Sequence, residues 1–168
     1  MAKVALQGNE CHTNSDLPSV GSVAPEFTLV TNSLDEKALS SFTSEYVLLY
    51  FLPSLDTGVC AKTTKELNEK LSQHDNLSAV VISADLPFAQ QRFCKEHGLK
   101  KVNTLSLFRN NQCAQDYGVS LIDGPLQGLT TRATFLLDKD KKIIQVQLCD
   151  DIVDSPDFDS ALSIVTEG

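Results

Sequence analysis

The most hydrophobic run of the chain, Tyr46-Val47-Leu48-Leu49-Tyr50-Phe51-Leu52, is apolar at every position and rich in β-branched and aromatic residues. Such a run predicts a central strand buried on both faces. Pro53 ends it. From Ala61 to Leu71 the pattern changes period: Val59, Thr63, Leu67 and Leu71 recur every four residues and predict a helix. Leu77-Ser78-Ala79-Val80-Val81-Ile82-Ser83 is a second apolar strand. The intervening helix has the length that a right-handed crossover between parallel strands needs. A second predicted helix follows from Asp85 to Gly98, with Pro87 suited to the first helical position and Gly98 to the C-cap.

Around this βαβ unit the patterning is weaker. Lys3 to Gln7, around Gly8-Asn9, predicts a short hairpin within an N-terminal extension of residues 1–24. Glu26 to Thr31 alternates as a strand, Asn32 to Lys37 reads as a turn, and Leu39 and Phe42 pack a short connection. Thr104 to Phe108 predicts a short strand, and Asn110 to Gly118 a short helix or loop. Ile122 to Leu129 is a loop by its glycines and proline. Arg132 to Leu137 and Ile143 to Leu148 form a hairpin about Asp138-Lys139-Asp140-Lys141, and Pro156 to Val165 a closing helix. The alternation predicts an α/β fold with a mixed central sheet and helices on both faces. Residues 1–168 are expected to form a single domain, since the length suits one core and is short for two.

Charge and cysteine usage narrow the partners. Lys plus Arg number 14 against 22 Asp plus Glu, a net charge of −8, which disfavours nucleic acid and anionic membranes. No apolar run approaches the roughly 20 residues that cross a bilayer, and the first residues have no apolar signal core, so a cytoplasmic setting is expected. Cys11, Cys60, Cys94, Cys113 and Cys149 are odd in number and widely spaced, a poor match to a disulfide framework. Cys11-His12, and Cys94 with His97, could each be half a zinc site, but neither has a second half.

The candidate chemistry lies where the first strand meets its helix. Cys60 falls in the first helical turn, where free N–H groups and the positive dipole end stabilise an anion. A buried, inert thiol is the common fate of a free cysteine. Strand, proline, hydroxyl and helix start in Pro53-Ser54-Leu55-Asp56-Thr57-Gly58-Val59-Cys60 argue against it here. Strand carboxyl ends are also where α/β folds place their sites.

That octapeptide resembles the Pro-x-x-x-Thr-x-x-Cys signature of the peroxiredoxins. Ser83-Ala84-Asp85-Leu86-Pro87-Phe88-Ala89-Gln90 through Arg92-Phe93-Cys94 is similar to the resolving-cysteine segment of their bacterial thiol peroxidase, or atypical two-cysteine, subgroup. Asp116-Tyr117-Gly118-Val119, Asp123-Gly124-Pro125-Leu126 and Arg132-Ala133 fit in order, so the resemblance spans nearly the whole chain. It implies a thioredoxin-like fold, a homodimer, no cofactor, and thioredoxin as the reductant. It also implies a peroxidatic thiolate at Cys60, a Thr57 hydroxyl bonded to thiolate and peroxide, Pro53 shielding the site, a guanidinium at Arg132, and Cys94 as the resolving thiol in a Cys60–Cys94 disulfide. The charged Lys95-Glu96-His97 after Cys94 departs from the subgroup.

Ionisation alone would not make a peroxidase. A free cysteine with pKa ~8.5 is roughly 3% ionised at pH 7, so full ionisation raises the reactive fraction only about thirtyfold. The remainder must come from holding the peroxide in line and stabilising the departing oxygen. Leu121, Ile122, Leu126 and Leu129 suggest an apolar surround that admits small alkyl hydroperoxides as well as hydrogen peroxide. Two helix-borne cysteines need Cα atoms within roughly 7 Å to bond, which predicts that the Cys60 turn, and the Cys94 helix with it, unwinds before the disulfide closes. Two other classes remain: a cysteine hydrolase with His12, His74 or His97 as base, and a redox sensor that forms the disulfide but turns over poorly.

Overall fold

Strands whose residues are apolar on both sides lie at the centre of the sheet, as their composition requires. The computed structural model describes residues 1–167. Among them, β1 (Lys3–Leu6) and β2 (Asn9–His12) form a hairpin. The strands β3 (Thr28–Thr31), β4 (Glu36–Ala38), β5 (Tyr46–Phe51), β6 (Leu77–Ser83), β7 (Val102–Ser106), β8 (Ala133–Leu137) and β9 (Ile143–Leu148) build the main sheet in the order β4-β3-β7-β6-β5-β8-β9. The helices are α1 (Gly58–Leu71), α2 (Pro87–His97), α3 (Gln112–Asp116) and α4 (Phe158–Glu167). The central β5, β6 and β7 are parallel, while β8, β9, β3 and β4 each join antiparallel to their neighbours. This is the mixed thioredoxin-like arrangement expected. No helix of the described residues is long and apolar enough to cross a membrane.

Alternation along β5 and β6 divides the core in two. Leu48, Tyr50, Ala79 and Val81 face Cys60, Leu67 and Leu71 of α1, Phe93 of α2 and Phe158, Ala161, Leu162 and Val165 of α4. Val47, Leu49, Phe51, Val80 and Ile82 face the opposite way, toward Phe27, Leu39, Phe42 and Cys113 and Ala114 of α3. The crossovers β5-α1-β6 and β6-α2-β7 step the same way across the sheet, so right-handed connections set α1 and α2 on one face. On the other face Phe51, Tyr117 and Phe135 form an aromatic cluster with centroids 5.1–5.8 Å apart, and the Tyr117 hydroxyl donates to the Pro25 carbonyl at 2.7 Å. Truncating such a fully buried side chain to alanine costs about 3–5 kcal/mol.

Weakly patterned elements shifted. β3 begins at Thr28 rather than Glu26, because the Phe27 N–H is taken by the Glu26 carboxylate at 3.0 Å. The end of the predicted 32–37 turn is strand β4, paired through Thr28↔Ala38 to Val30↔Glu36. β7 lies two residues before the predicted 104–108 strand, and the Leu107 N–H already belongs to a loop bond with the Ser83 carbonyl.

The N-terminal hairpin turns at Gln7 and Gly8, with φ of 51° and 85°, a left-handed pair suited to a two-residue turn. It is fastened to the segment after β9. Asp151 accepts from the Gln7 and Gly8 N–H groups at 3.0 and 2.9 Å, and Ile152 N–H donates to the Ala5 carbonyl at 2.8 Å. Val4 and Cys11, paired across the hairpin, pack with Leu121 and Ile152. Cys11 is therefore buried within a strand.

Backbone donors, Gly8 first and then Val153, Gln7 and Ile152, hold the Asp151 carboxyl below its ordinary value. Because the folded value is depressed, this contribution is present above the unfolded value of ~3.9 and is lost as pH falls through the folded one. Asp151→Ala is expected to speed hydrogen exchange at the Gln7 and Gly8 amides severalfold at neutral pH. Wild type should show the same loosening only on acidification below about pH 4.

Candidate active site

Cys60 is the third residue of α1, and the sequence around it fixes the turn from both sides. Thr57 is the N-cap: its Oγ1 accepts the Cys60 N–H at 3.3 Å and donates to the Ser54 carbonyl at 3.1 Å. The Thr63 and Thr64 hydroxyls donate to the Cys60 carbonyl at 3.1 and 2.8 Å. Gly58 and Val59 occupy the first two helical positions, whose N–H groups have no partner within a helix. The Thr57 hydroxyl thus serves the backbone, not the sulfur.

Opposite the sulfur stands Arg132, which immediately precedes β8 and is only 1% exposed. Its Nη2 donates to Cys60 Sγ at 3.0 Å, its Nε to the Ile152 carbonyl at 2.8 Å and its Nη1 to the Tyr50 hydroxyl. Burial opposes the charge on this guanidinium, but Tyr50 and Cys60 outweigh it and raise the Arg132 pKa. The Tyr50 hydroxyl is also 2.8 Å from Thr63 Oγ1, and burial pushes its pKa up to about 12. It remains a neutral phenol at neutral pH, able to accept from Arg132 while donating to Thr63. A charged donor and the N-terminal end of a helix thus converge on the sulfur.

Cys60 itself is fully buried, and the arginine bonded to its sulfur lines a cleft of about 290 Å³. Pro53, Thr57, Gly58, Val59 and Arg132 line it together with Leu6 and Gln7 of the hairpin, Leu126, and Ile152 and Val153 after β9. Of the four apolar residues expected to surround the site, only Leu126 lines it. Leu121 is buried against the hairpin, and Ile122 is exposed. The apolar wall comes instead from the hairpin and the segment after β9.

Cys94 lies in the second half of α2, half-buried, and packs against the same apolar cluster as Cys60. Burial raises its pKa, partly offset by a hydrogen bond to Thr104. All five cysteines are free thiols. Burial also raises Cys11 and Cys113, and takes Cys149 to about 11 despite the nearby Arg132, which keeps these thiols protonated at neutral pH. His12 is held between Asp123 and Glu10, at 2.8 and 3.2 Å. His74 follows the far end of α1, and the His97 ring packs on Phe93. None of the three is hydrogen-bonded to Cys60, so the sulfur has no imidazole base of the hydrolase kind. Among the described residues no three His, Cys, Asp or Glu side chains converge as a metal site.

Sequence reading missed Tyr50 and Thr63. The one available signal was a hydroxyl on an otherwise apolar run, which needs a partner once buried. Tyr50→Phe leaves an Arg132 N–H unpaired in the interior, and hydrogen bonds to charged groups contribute ≈ 1.5–3 kcal/mol. Stopped-flow oxidation of Cys60 by peroxide should slow roughly 10- to 100-fold in this variant, while alkylation of Cys60 by iodoacetamide should change less. Equal changes in both would mean that Tyr50 affects ionisation alone.

Comparison with known proteins agrees with this geometry. The redoxin family model matches residues 19–162. A curated protein named thiol peroxidase, from Corynebacterium glutamicum, is 40% identical over 163 residues, covering 97% of this chain and 98% of its own. The crystal structure of a peroxiredoxin-like protein from Aquifex aeolicus superposes with a TM-score of 0.93 at 36% identity, covering 99% and 97% of the two chains. A thiol peroxidase from Chromobacterium violaceum superposes at 0.91 with 28% identity, covering 99% and 96%. The chain belongs to the redoxin family and, within it, to the bacterial thiol peroxidases of the peroxiredoxin class.

Proposed function

We propose that this chain reduces hydrogen peroxide and organic hydroperoxides through Cys60, with Cys94 as the resolving thiol and thioredoxin as the reductant. The observation that carries the reading is the Arg132 Nη2 donor 3.0 Å from the Cys60 sulfur, on an arginine that lines a mostly apolar cleft. Cys60 thiolate attacks the terminal peroxide oxygen. The O–O bond breaks, an S–O bond forms, and the departing oxygen takes a proton to leave as water or an alcohol. Arg132 and the Gly58 and Val59 N–H groups stabilise charge on the oxygens during transfer. Thr57 acts by shaping the turn and offering its hydroxyl at the cleft, while Pro53 keeps water from the sulfur. Leu6, Val59, Leu126, Ile152 and Val153 provide the apolar surround that favours small alkyl hydroperoxides.

The sulfenic acid on Cys60 then condenses with the Cys94 thiol, forming the S–S bond and releasing water. Cys60 is fully buried in the first turn of α1 while Cys94 is borne on α2. The reading therefore includes unwinding of the Cys60 turn, and of part of α2, before the bond can close. A thioredoxin dithiol reduces the disulfide by exchange, so the cycle consists of sulfur chemistry and needs no cofactor. A homodimer of single-domain chains, working in the cytoplasm, belongs to the same reading, and sedimentation measures the assembly.

Peroxide turnover coupled to thioredoxin and its reductase is expected for wild type and should vanish in Cys60→Ser. Cys94→Ser should undergo one stoichiometric oxidation and then stop. Full thioredoxin-linked turnover without Cys94 would remove it as the resolving thiol, and a single oxidation in wild type would make the protein a sensor. The pH dependence of disulfide formation adds a second test. Burial raises the Cys94 pKa within folded α2, and the thiolate is the attacking form. Attack from an unwound segment should therefore rise with pH and level near the free value of ~8.5, whereas attack from the intact helix would continue to accelerate beyond it.

A further inference from the structure

Asp85 stands in the turn between β6 and α2, yet two of the three hydrogen bonds to its carboxylate come from the loop before Cys60. Oδ1 accepts from Ser54 Oγ at 2.6 Å, and Oδ2 accepts from the Leu55 N–H at 2.7 Å and from Ser83 Oγ at 2.8 Å. The turn that carries Asp85 is itself anchored. Ser106 Oγ donates to the Asp85 carbonyl at 2.5 Å, and the Ser83 hydroxyl accepts from Gln90 Nε2 at 3.1 Å. Gln90, fully buried in α2, also donates to the Leu105 carbonyl at 2.9 Å. One polar chain thus runs from the Cys60 loop, through Asp85 and Ser83, into the helix that bears Cys94. A further polar link between the loop and α2 is the Asp56–Arg92 pair, exposed and 3.7 Å apart, a class of contact that contributes little.

We propose that Asp85 is a positioning residue that sets the balance between the peroxide-reacting and disulfide-forming arrangements, by clamping Ser54 and Leu55 to the turn that begins the Cys94 helix. The proposal rests on the reading of Cys94 as the resolving thiol. Bonds to an ionised acceptor are the strong class of hydrogen bond, so the clamp holds the Cys60 turn folded against Arg132 while peroxide reacts. The same bonds must open before the oxidised sulfur can leave the turn. Weakening them is expected to change the two steps in opposite directions: slower sulfenic acid formation and faster disulfide closure. Faster closure leaves less time for a second oxidation, in which the sulfenic acid and another hydrogen peroxide give sulfinic acid and water.

The test compares wild type with Ser54→Ala, Asp85→Asn and Asp85→Ala. Asparagine keeps the shape and can donate to Ser54 Oγ, so it should rescue part of the effect. Stopped-flow kinetics give the peroxide and disulfide rates separately, and mass spectrometry gives the peroxide concentration at which half of Cys60 becomes sulfinic acid. That concentration should rise in the order wild type, Asp85→Asn, Asp85→Ala, reaching roughly tenfold in the last, with a smaller rise in Ser54→Ala. If Asp85→Ala does not fold, the Asn and Ser54 variants carry the comparison. Two rates that fall together, or neither changing, would overturn the clamp. Intramolecular disulfide formation in Cys94→Ser would instead remove Cys94 as the resolving thiol, an outcome read independently of the Asp85 series.

Discussion

A guanidinium with almost no exposure to water is costly to bury unless its donors are met, and the site is built around meeting them. Arg132 gives its N–H groups to Ile152, Tyr50 and Cys60, which lie after β9, on β5 and on α1. Those partners come together only because β8 pairs antiparallel with β5 in the register Phe51↔Ala133, which sets Arg132 beside the end of the strand leading to Cys60. A slip of one residue would turn every side chain of β8 to the opposite face. The sulfur's environment is therefore a property of the sheet.

The donor set around the sulfur depends in turn on the apolar shell. Tyr50 stays neutral because it is buried in the core layer between the sheet and the helices α1 and α4, where its ring packs edge-on to Phe158 of α4 at 5.4 Å between centroids. A neutral phenol can accept from Arg132 and donate to Thr63, whereas a water molecule there would be free to reorient. The hairpin closes the cleft from outside, with Asp151 fastening its tip. A segment with little patterning of its own thus becomes one wall of the site.

The Cys60 turn is held by a set of hydrogen bonds: the Thr57 cap, the Thr63 and Thr64 hydroxyls, and the ties of Ser54 and Leu55 to Asp85. None is covalent or deeply apolar, and helix first turns are among the segments that open most readily. The rigid parts of the fold, the parallel strands β5 to β7, lie directly beneath. A firm sheet under a turn held by polar contacts suits a residue that, in the proposed cycle, must be both precisely placed and released.

By itself the sequence determined the elements whose signals are local. The unbroken apolar runs specified β5 and β6, the four-residue spacing and Thr57 specified α1 and the position of Cys60 in its first turn, and Pro87 and Gly98 bounded α2. Edge elements such as β4 were not legible, since three residues become a strand only by pairing with β3. The family resemblance implied a guanidinium at Arg132, 72 residues from Cys60, but tertiary structure alone decided that its Nη2 donates to the sulfur, that Tyr50 turns its hydroxyl to the guanidinium, and that Leu6, Ile152 and Val153 line the cleft in place of Leu121 and Ile122. Helix and strand periods report which face of a segment is buried. They carry no information about which distant segment the buried face will meet, because that depends on sheet order and register.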